Sequence, residues 1–285
     1  MEGRPSPQKE NDMIHQYISY LSYTKGYSAN TLKSYTQALT QFVNYRKQCD
    51  SNARWSTTTA GDVQNYLGWL KECEKSNATI HLHASAIKGM FRFIVHNGGT
   101  IDKAIYHVEC PKMVKSDAAT IAPSDIQATI DDASIAIDIR IIIALIADSG
   151  LRISEVLSLR PLDFDKSSMS ITIVGKGGKT RYCYYSTRVQ AMLNAYKRDT
   201  NRECLLFSGD ERMIRYNIHM ALRKHSNAPK LSPHIIRHTF ATEMLCNGLN
   251  LAALKKQLGH EDIKSTERYL NHYRLHSYES YRAAL

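Results

Sequence analysis

The chain has 285 residues, a mass of 32.4 kDa, 43% hydrophobic and 22% charged residues and a mean hydropathy of −0.39, values of an ordinary globular protein long enough for two domains. Its longest apolar stretch, Ile135 to Ala147, is broken by Asp138 and Arg140 and falls short of the roughly 20 residues needed to cross a bilayer. The N-terminus is polar, with no apolar secretory core, so a cytoplasmic protein without membrane association is expected.

Lysine and arginine number 37 against 27 acidic residues, a net charge of +10, which suits a polyanionic partner. Residues 1–115 carry 14 basic and 9 acidic side chains (net +5), residues 116–155 carry 2 and 7 (net −5), and residues 156–285 carry 21 and 11 (net +10). Two basic regions flanking an acidic one fit a two-part clamp on nucleic acid; scattered solubilising charge is the alternative. The 6 cysteines form no C-x-x-C pair and read as reduced packing residues.

In chain order, the first hundred residues read as helices. Asn11–Tyr23 and Asp62–Cys73 are short candidates. From Ser28 to Gln48, Leu32, Tyr35, Leu39, Phe42 and Val43 recur at helical spacing behind a capping Ser28 or Asn30. Ile80, Ala84, Ile87, Phe91 and Ile94 repeat the pattern up to Gly98-Gly99. Four helices with short loops suit a small bundle. Lys25, Lys33, Lys88 and Arg92 lie on or beside these helices, placed to follow a phosphate backbone, and His81 and His83 are expected at the surface or facing DNA.

Residues 109–120 have little periodicity and are expected to link residues 1–108 to a second domain over 121–285. There Ala136–Ser149 reads as an apolar helix ending at Gly150, and a short helix follows through Ile153–Leu159. Ser170–Val174 alternates as a strand, Gly175–Lys179 is a glycine-rich turn, and Thr180–Tyr185 is a second strand. Helices resume at Val189–Arg198, Met213–Lys224, Pro233–Cys246 (with Ser232 as cap) and Leu251–Leu258.

Five features of this half carry chemistry: Ser149-Gly-Leu-Arg152-Ile-Ser-Glu155, the hairpin lysine Lys176, His234-Ile-Ile-Arg237-His238, Leu258-Gly-His260, and Thr266-Glu-Arg-Tyr269. Each is weak alone. Their order and spacing resemble the tyrosine recombinase (phage integrase and Xer-like) family. Tyr27-Ser-Ala-Asn-Thr-Leu-Lys-Ser-Tyr35 looks like the start of that family's helical domain, and Ile121-Ala-Pro-Ser-Asp-Ile126 like the entry to its catalytic domain. One departure is Tyr182-Cys-Tyr-Tyr185 after Arg181, where the family often has Val-Pro-Leu.

The resemblance implies a mainly α protein. A core-binding domain, a SAM-like four-helix bundle, precedes a mixed α/β catalytic domain, mostly helical with a small antiparallel sheet, and no arm-binding domain is expected before them. It also implies a site-specific recombinase that cuts and rejoins duplex DNA through a 3′-phosphotyrosyl link and a Holliday junction, as a homo-tetramer on synapsed sites. The free protein would be a monomer or weak oligomer, with an accessory protein a further partner. Leu275, Tyr278, Tyr281 and Leu285 would share one face of a C-terminal helix, Tyr273–Leu285, that docks on a neighbouring protomer or on its own domain.

Physical reasoning assigns the same roles. Arg152 and Arg237 would hold the non-bridging oxygens of a phosphorane-like transition state with paired hydrogen bonds. Glu155, one turn from Arg152, would orient it. A tyrosine nucleophile stores the ester bond, so that rejoining needs no ATP. Physical reasoning leaves Tyr269 and Tyr273 nearly even, and the resemblance, through the interval from His260, selects Tyr269. A lysine on the hairpin turn would protonate the departing 5′ oxygen. The resemblance selects Lys176, leaving Lys179 and Arg181 to contact phosphates or base edges.

His234 and His260 would donate to phosphate oxygens, with His234 also able to accept the tyrosine proton. His234 and His238 have the spacing of zinc ligands, but Arg237 between them would repel a dication, so no metal or other cofactor is expected. The competing functions are a type IB topoisomerase and an inactive DNA-binding regulator.

Overall fold

The computed structural model describes residues 7–113, 120–175, 180–196 and 204–259, with side chains from Glu10 onward. The chain divides into two units, Met1–Lys115 and Ser116–Leu285.

In the first unit α1 (Pro7–Tyr23), α2 (Ala29–Cys49), α3 (Ala60–Glu72) and α4 (Asn77–His96) follow one another. Short polar side chains start three of them. Ser28 Oγ accepts from the Thr31 amide at 3.3 Å, Ser76 Oγ from the Thr79 amide at 3.2 Å, and Thr59 and Asp62 exchange bonds across the first turn of α3. Each satisfies amides that a helix start leaves without partners. The apolar faces close over a core that includes Leu39, Phe42, Tyr66, Ile80, Ile87 and Phe91, each large side chain contributing roughly 1.5–3 kcal/mol by leaving water. Helix α1 begins at Pro7, four residues before the expected Asn11, because proline has no amide hydrogen to lose and its φ already suits a first turn.

His83 corrects an expectation. It is buried on the core face of α4, with Nδ1 2.8 Å from Tyr66 Oη, and burial pushes its pKa down. Three and four residues from Ile80 and Ile87, it falls on the apolar stripe, and the tyrosine hydroxyl satisfies its polar atom. His81 lies two positions earlier, with Nε2 2.7 Å from the Pro111 carbonyl, and Asn77 Nδ2 donates to the Lys112 carbonyl at 2.9 Å. Residues 111–112 therefore lie along α4.

The second unit is built around α6 (Ile137–Ser149), which follows α5 (Pro123–Asp131) and whose Ile139, Ile141, Ile142, Ile143, Leu145 and Ile146 are all buried. It packs against α7 (Ile153–Leu157), α8 (Thr187–Ala195), α9 (Glu211–Arg223) and α10 (Pro233–Cys246). Helix α11 (Leu251–Leu258) closes a smaller cluster with α10 through Phe240, Leu245, Leu254 and Leu258.

The sheet is antiparallel in the order β1-β2-β3, with β1 (Phe164–Asp165), β2 (Ser170–Val174) and β3 (Thr180–Tyr184). Strand β1, two residues long, was not expected. Ile171 pairs with Cys183 and Ile173 with Arg181, so Arg181 and Cys183 share the buried face while Thr180, Tyr182 and Tyr184 point outward. The architecture is mainly α with a small antiparallel sheet in the second unit, as the sequence suggests.

Candidate active site

Two helices of the second unit end on left-handed glycines. Gly150 (φ 65°) closes α6 and Gly259 (φ 64°) closes α11, and such ends leave carbonyls in need of donors. Arginines supply them. Arg237 donates from Nη1 to the Gly150 carbonyl at 2.7 Å and from Nη2 to the Leu258 carbonyl at 2.8 Å. Arg152 Nη2 reaches the Gly259 carbonyl at 3.4 Å, and Arg181 Nε donates to the Gln257 carbonyl at 3.1 Å.

The three guanidiniums also converge on one carboxylate. Glu155 Oε1 accepts from Arg152 Nη1 at 2.9 Å, and Oε2 accepts from Arg181 Nη2 at 2.8 Å and from the Arg152 amide at 2.7 Å. Arg237 Nη1 stands 3.8 Å from the same Oε2. Glu155 sits in the first turn of α7, where a carboxylate is favoured by the helix dipole. Burial pushes its pKa up, but hydrogen bonds from Arg181 and the Arg152 amide, with the charges of both arginines, hold the carboxyl below its ordinary range. The cluster is graded in exposure. The Arg237 side chain is 2% exposed, that of Arg152 44%, so Arg152 is accessible to a solvent-borne phosphate while Arg237 is set in the protein.

Because Glu155 is more acidic folded than unfolded, its contribution is complete above the unfolded value, about 4.3, and is lost as pH falls through the lowered folded value. Glu155→Gln should therefore destabilise the protein by about 2 kcal/mol at neutral pH. Thermal melting from pH 7 to 3 should show the gap to wild type closing in acid; a constant gap would assign the effect to shape, not charge.

Proline at the start of α10 puts His234 in its first turn, exposed and one turn before Arg237. The His234 and His238 rings meet edge to face at 4.2 Å. Arg152, Glu155 and Arg237 thus come together from the α6–α7 junction and α10. Lys176, Lys179, His260, Tyr269 and the expected helix 273–285 lie outside the described residues.

Arg181 differs from expectation. It was expected at DNA, yet it is buried against Glu155 and the end of α11. Strand alternation with Cys183 carried the signal; a basic residue beside a hairpin turn reads first as a surface cation. Of the other DNA-contact candidates, Lys25, Lys88 and Arg92 line one groove of about 450 Å³ in the first unit, together with Tyr17, Tyr27 and Tyr35. Lys88 Nζ donates to the Val108 carbonyl at 2.7 Å, Lys25 lies 5.9 Å over the Tyr20 ring and Arg92 5.7 Å over the Tyr106 ring. Lys33 is exposed on α2 and does not line that groove.

Three guanidiniums from β3, α10 and the α6–α7 junction are thus gathered on one carboxylate in a mainly helical second unit. The phage integrase family model matches residues 122–276 and the phage integrase N-terminal SAM-like domain residues 14–98, and the chain belongs to this family, the tyrosine recombinases. It is 29% identical over 273 residues to tyrosine recombinase XerD of Oceanobacillus iheyensis, covering 90% of this chain and 92% of that protein. Tyrosine recombinase XerC of Bacillus pumilus is 26% identical over 277 residues, 90% of each chain. Among solved structures, the XerH site-specific recombinase in its post-cleavage complex with palindromic difH substrate shares the fold, with a TM-score of 0.73, 16% identity and coverage of 98% of this chain and 90% of that one.

Proposed function

We infer that this chain is a site-specific DNA recombinase that breaks and rejoins duplex DNA through a covalent phosphotyrosyl intermediate. The observation that carries the reading is the convergence of Arg152 and Arg237 on Glu155, one arginine accessible and one set in the protein. Membership of the family and the recombinase relatives, each matching about nine-tenths of the chain, support it.

In the proposed step Arg152 and Arg237 hold the non-bridging oxygens of the scissile phosphate. Charge grows on those oxygens as the tyrosine attacks, so donors held in place by Glu155 and the helix ends need little reorganisation. Tyr269 Oη forms a bond to phosphorus, the bond from phosphorus to the 5′ oxygen breaks, and Lys176 delivers a proton to that oxygen. His234 takes the tyrosine proton, and His260 donates to a phosphate oxygen. Attack by a 5′ hydroxyl of the partner strand reverses the step and returns the ester bond, so no ATP is consumed. The domains proposed at 1–108 and 121–285, with 109–120 between them, would each contact the duplex. Four copies would act on two synapsed sites through a Holliday junction, with the C-terminal residues 273–285 docking between protomers. No helix among the described residues is long and apolar enough to cross a membrane, and the protein would act on DNA in the cytoplasm.

The test is incubation with nicked duplexes carrying candidate sites, in EDTA, followed by denaturing electrophoresis. A protein–DNA adduct that survives SDS is expected. A protein that binds such duplexes tightly and never forms the adduct would be a DNA-binding regulator instead.

A further inference from the structure

We propose that Arg181 is a positioning residue of the strand-cleavage site, and not a DNA contact. The proposal rests on the functional reading above and deepens it.

Burying a guanidinium in the inner face of a sheet is costly unless every side of it is matched. Two of the three guanidinium nitrogens of Arg181 have such partners. Nη2 donates to Glu155 Oε2 at 2.8 Å and Nε to the Gln257 carbonyl at 3.1 Å. The face of the group is covered by Gly259, where a Cβ would stand 2.8 Å from Cζ and from Nη1. The side chain is 10% exposed. Its Nε and Nη2 are committed to the end of α11 and to Glu155, while its strand neighbours Thr180 and Tyr182 face outward.

The consequence lies in how three arginines divide the end of α11. Arg181, Arg237 and Arg152 take the carbonyls of Gln257, Leu258 and Gly259 in turn. They come from β3, from α10 and from the α6–α7 junction, segments far apart in sequence. Arg181 also occupies Glu155 Oε2, which leaves Oε1 to Arg152 and fixes the plane of the carboxylate that orients it. One side chain therefore ties the accessible arginine, the end of α11 at Gly259 and strand β3. Lysine cannot replace it in full, because a single ammonium lacks the rigid fork that serves two acceptors at once.

The experiment compares wild type, Arg181→Met and Arg181→Lys on a nicked duplex that the wild type attacks. It measures the affinity and its salt dependence, the single-turnover rate of adduct formation at saturating DNA, and the fraction of protein that reacts, all well below each variant's melting temperature. Expected for Arg181→Met is a rate about 10- to 100-fold lower, the size of loss seen when a partner that orients a metal-binding side chain is removed, with affinity and salt slope unchanged. Arg181→Lys should recover part of that rate.

A purely structural role would lower the reacting fraction and leave the rate of that fraction alone, which would overturn the proposal. So would weaker binding with a salt slope shallower by about 0.9, the signature of one lost phosphate contact. If Arg181→Met does not fold, Arg181→Lys decides: a wild-type rate overturns the proposal and a reduced rate at unchanged affinity supports it. Failure of the wild type to form any adduct would count against the functional reading, whereas a wild-type rate in both variants counts against Arg181 alone.

Discussion

Replacing Arg237 with lysine should abolish measurable strand cleavage while leaving DNA binding in place. Arg237 bridges the carbonyls that close α6 and α11, at 2.7 and 2.8 Å, and stands 3.8 Å from Glu155. Lysine keeps the charge but cannot span both carbonyls with one planar group. In the proposed step it also cannot present paired donors to a phosphate. Loss of one such donor costs about 10²–10³ in rate, and here the site that holds the donors is disturbed as well. Alanine should be worse in a second way. It strands the Gly150 and Leu258 carbonyls and removes a buried positive charge beside Glu155, together costing about 3–5 kcal/mol. Single-turnover cleavage and thermal melting separate the two effects: Arg237→Lys should lose rate with a smaller loss in melting than Arg237→Ala, which should lose both in full. Cleavage by Arg237→Lys within tenfold of wild type would contradict the assigned role.

The second large effect is expected at Gly150. Its φ of +65° costs a residue with a Cβ about 1–2 kcal/mol. That Cβ would also stand 2.5 Å from Phe240 Cδ1 and 2.8 Å from Leu258 Cδ2, an overpacking worth roughly 1–3 kcal/mol more. Gly150→Ala should therefore lose about 2–5 kcal/mol, and it should disturb the carbonyl that Arg237 uses. Gly26 is the internal control, since it has φ +62° and nothing within 4 Å of a built Cβ. Gly26→Ala should lose the conformational cost alone. Chemical denaturation of both variants measures the difference, which is the cost of the contact with Phe240 and Leu258; equal losses would show that the interior yields freely there.

Much of this architecture is legible in the sequence, for identifiable reasons. The helices of the first unit carry their apolar stripes and their caps, Ser28 among them, in local order, so periodicity and capping chemistry locate them. The hairpin is legible from the alternation of Ser170–Val174 and the glycines after it. Strand β1 is not, since two residues hold no period. His83 was misread because polarity outweighed its place on the stripe, and only the fold brings Tyr66 to it.

At the site, Arg152, Glu155 and Arg237 were legible as residue types at family spacing. What a linear sequence does not display is that their partners are main-chain carbonyls at helix ends 87 and 107 residues away. Arg181 shows the limit most directly. Its neighbours in sequence suggest a surface cation, and its neighbours in space are a carboxylate and the end of a helix.

The central claim is that Tyr269 carries the DNA. The adduct formed in EDTA on a nicked duplex should be digested with protease and nuclease, and the nucleotide-bearing peptide sequenced by mass spectrometry. The account predicts a 3′-phosphate ester on Tyr269, no adduct from Tyr269→Phe and normal adduct from Tyr273→Phe. A nucleotide on Tyr273 would move the nucleophile by four residues. Attachment through a 5′-phosphate, or to any residue other than a tyrosine, would contradict the chemistry proposed for this protein.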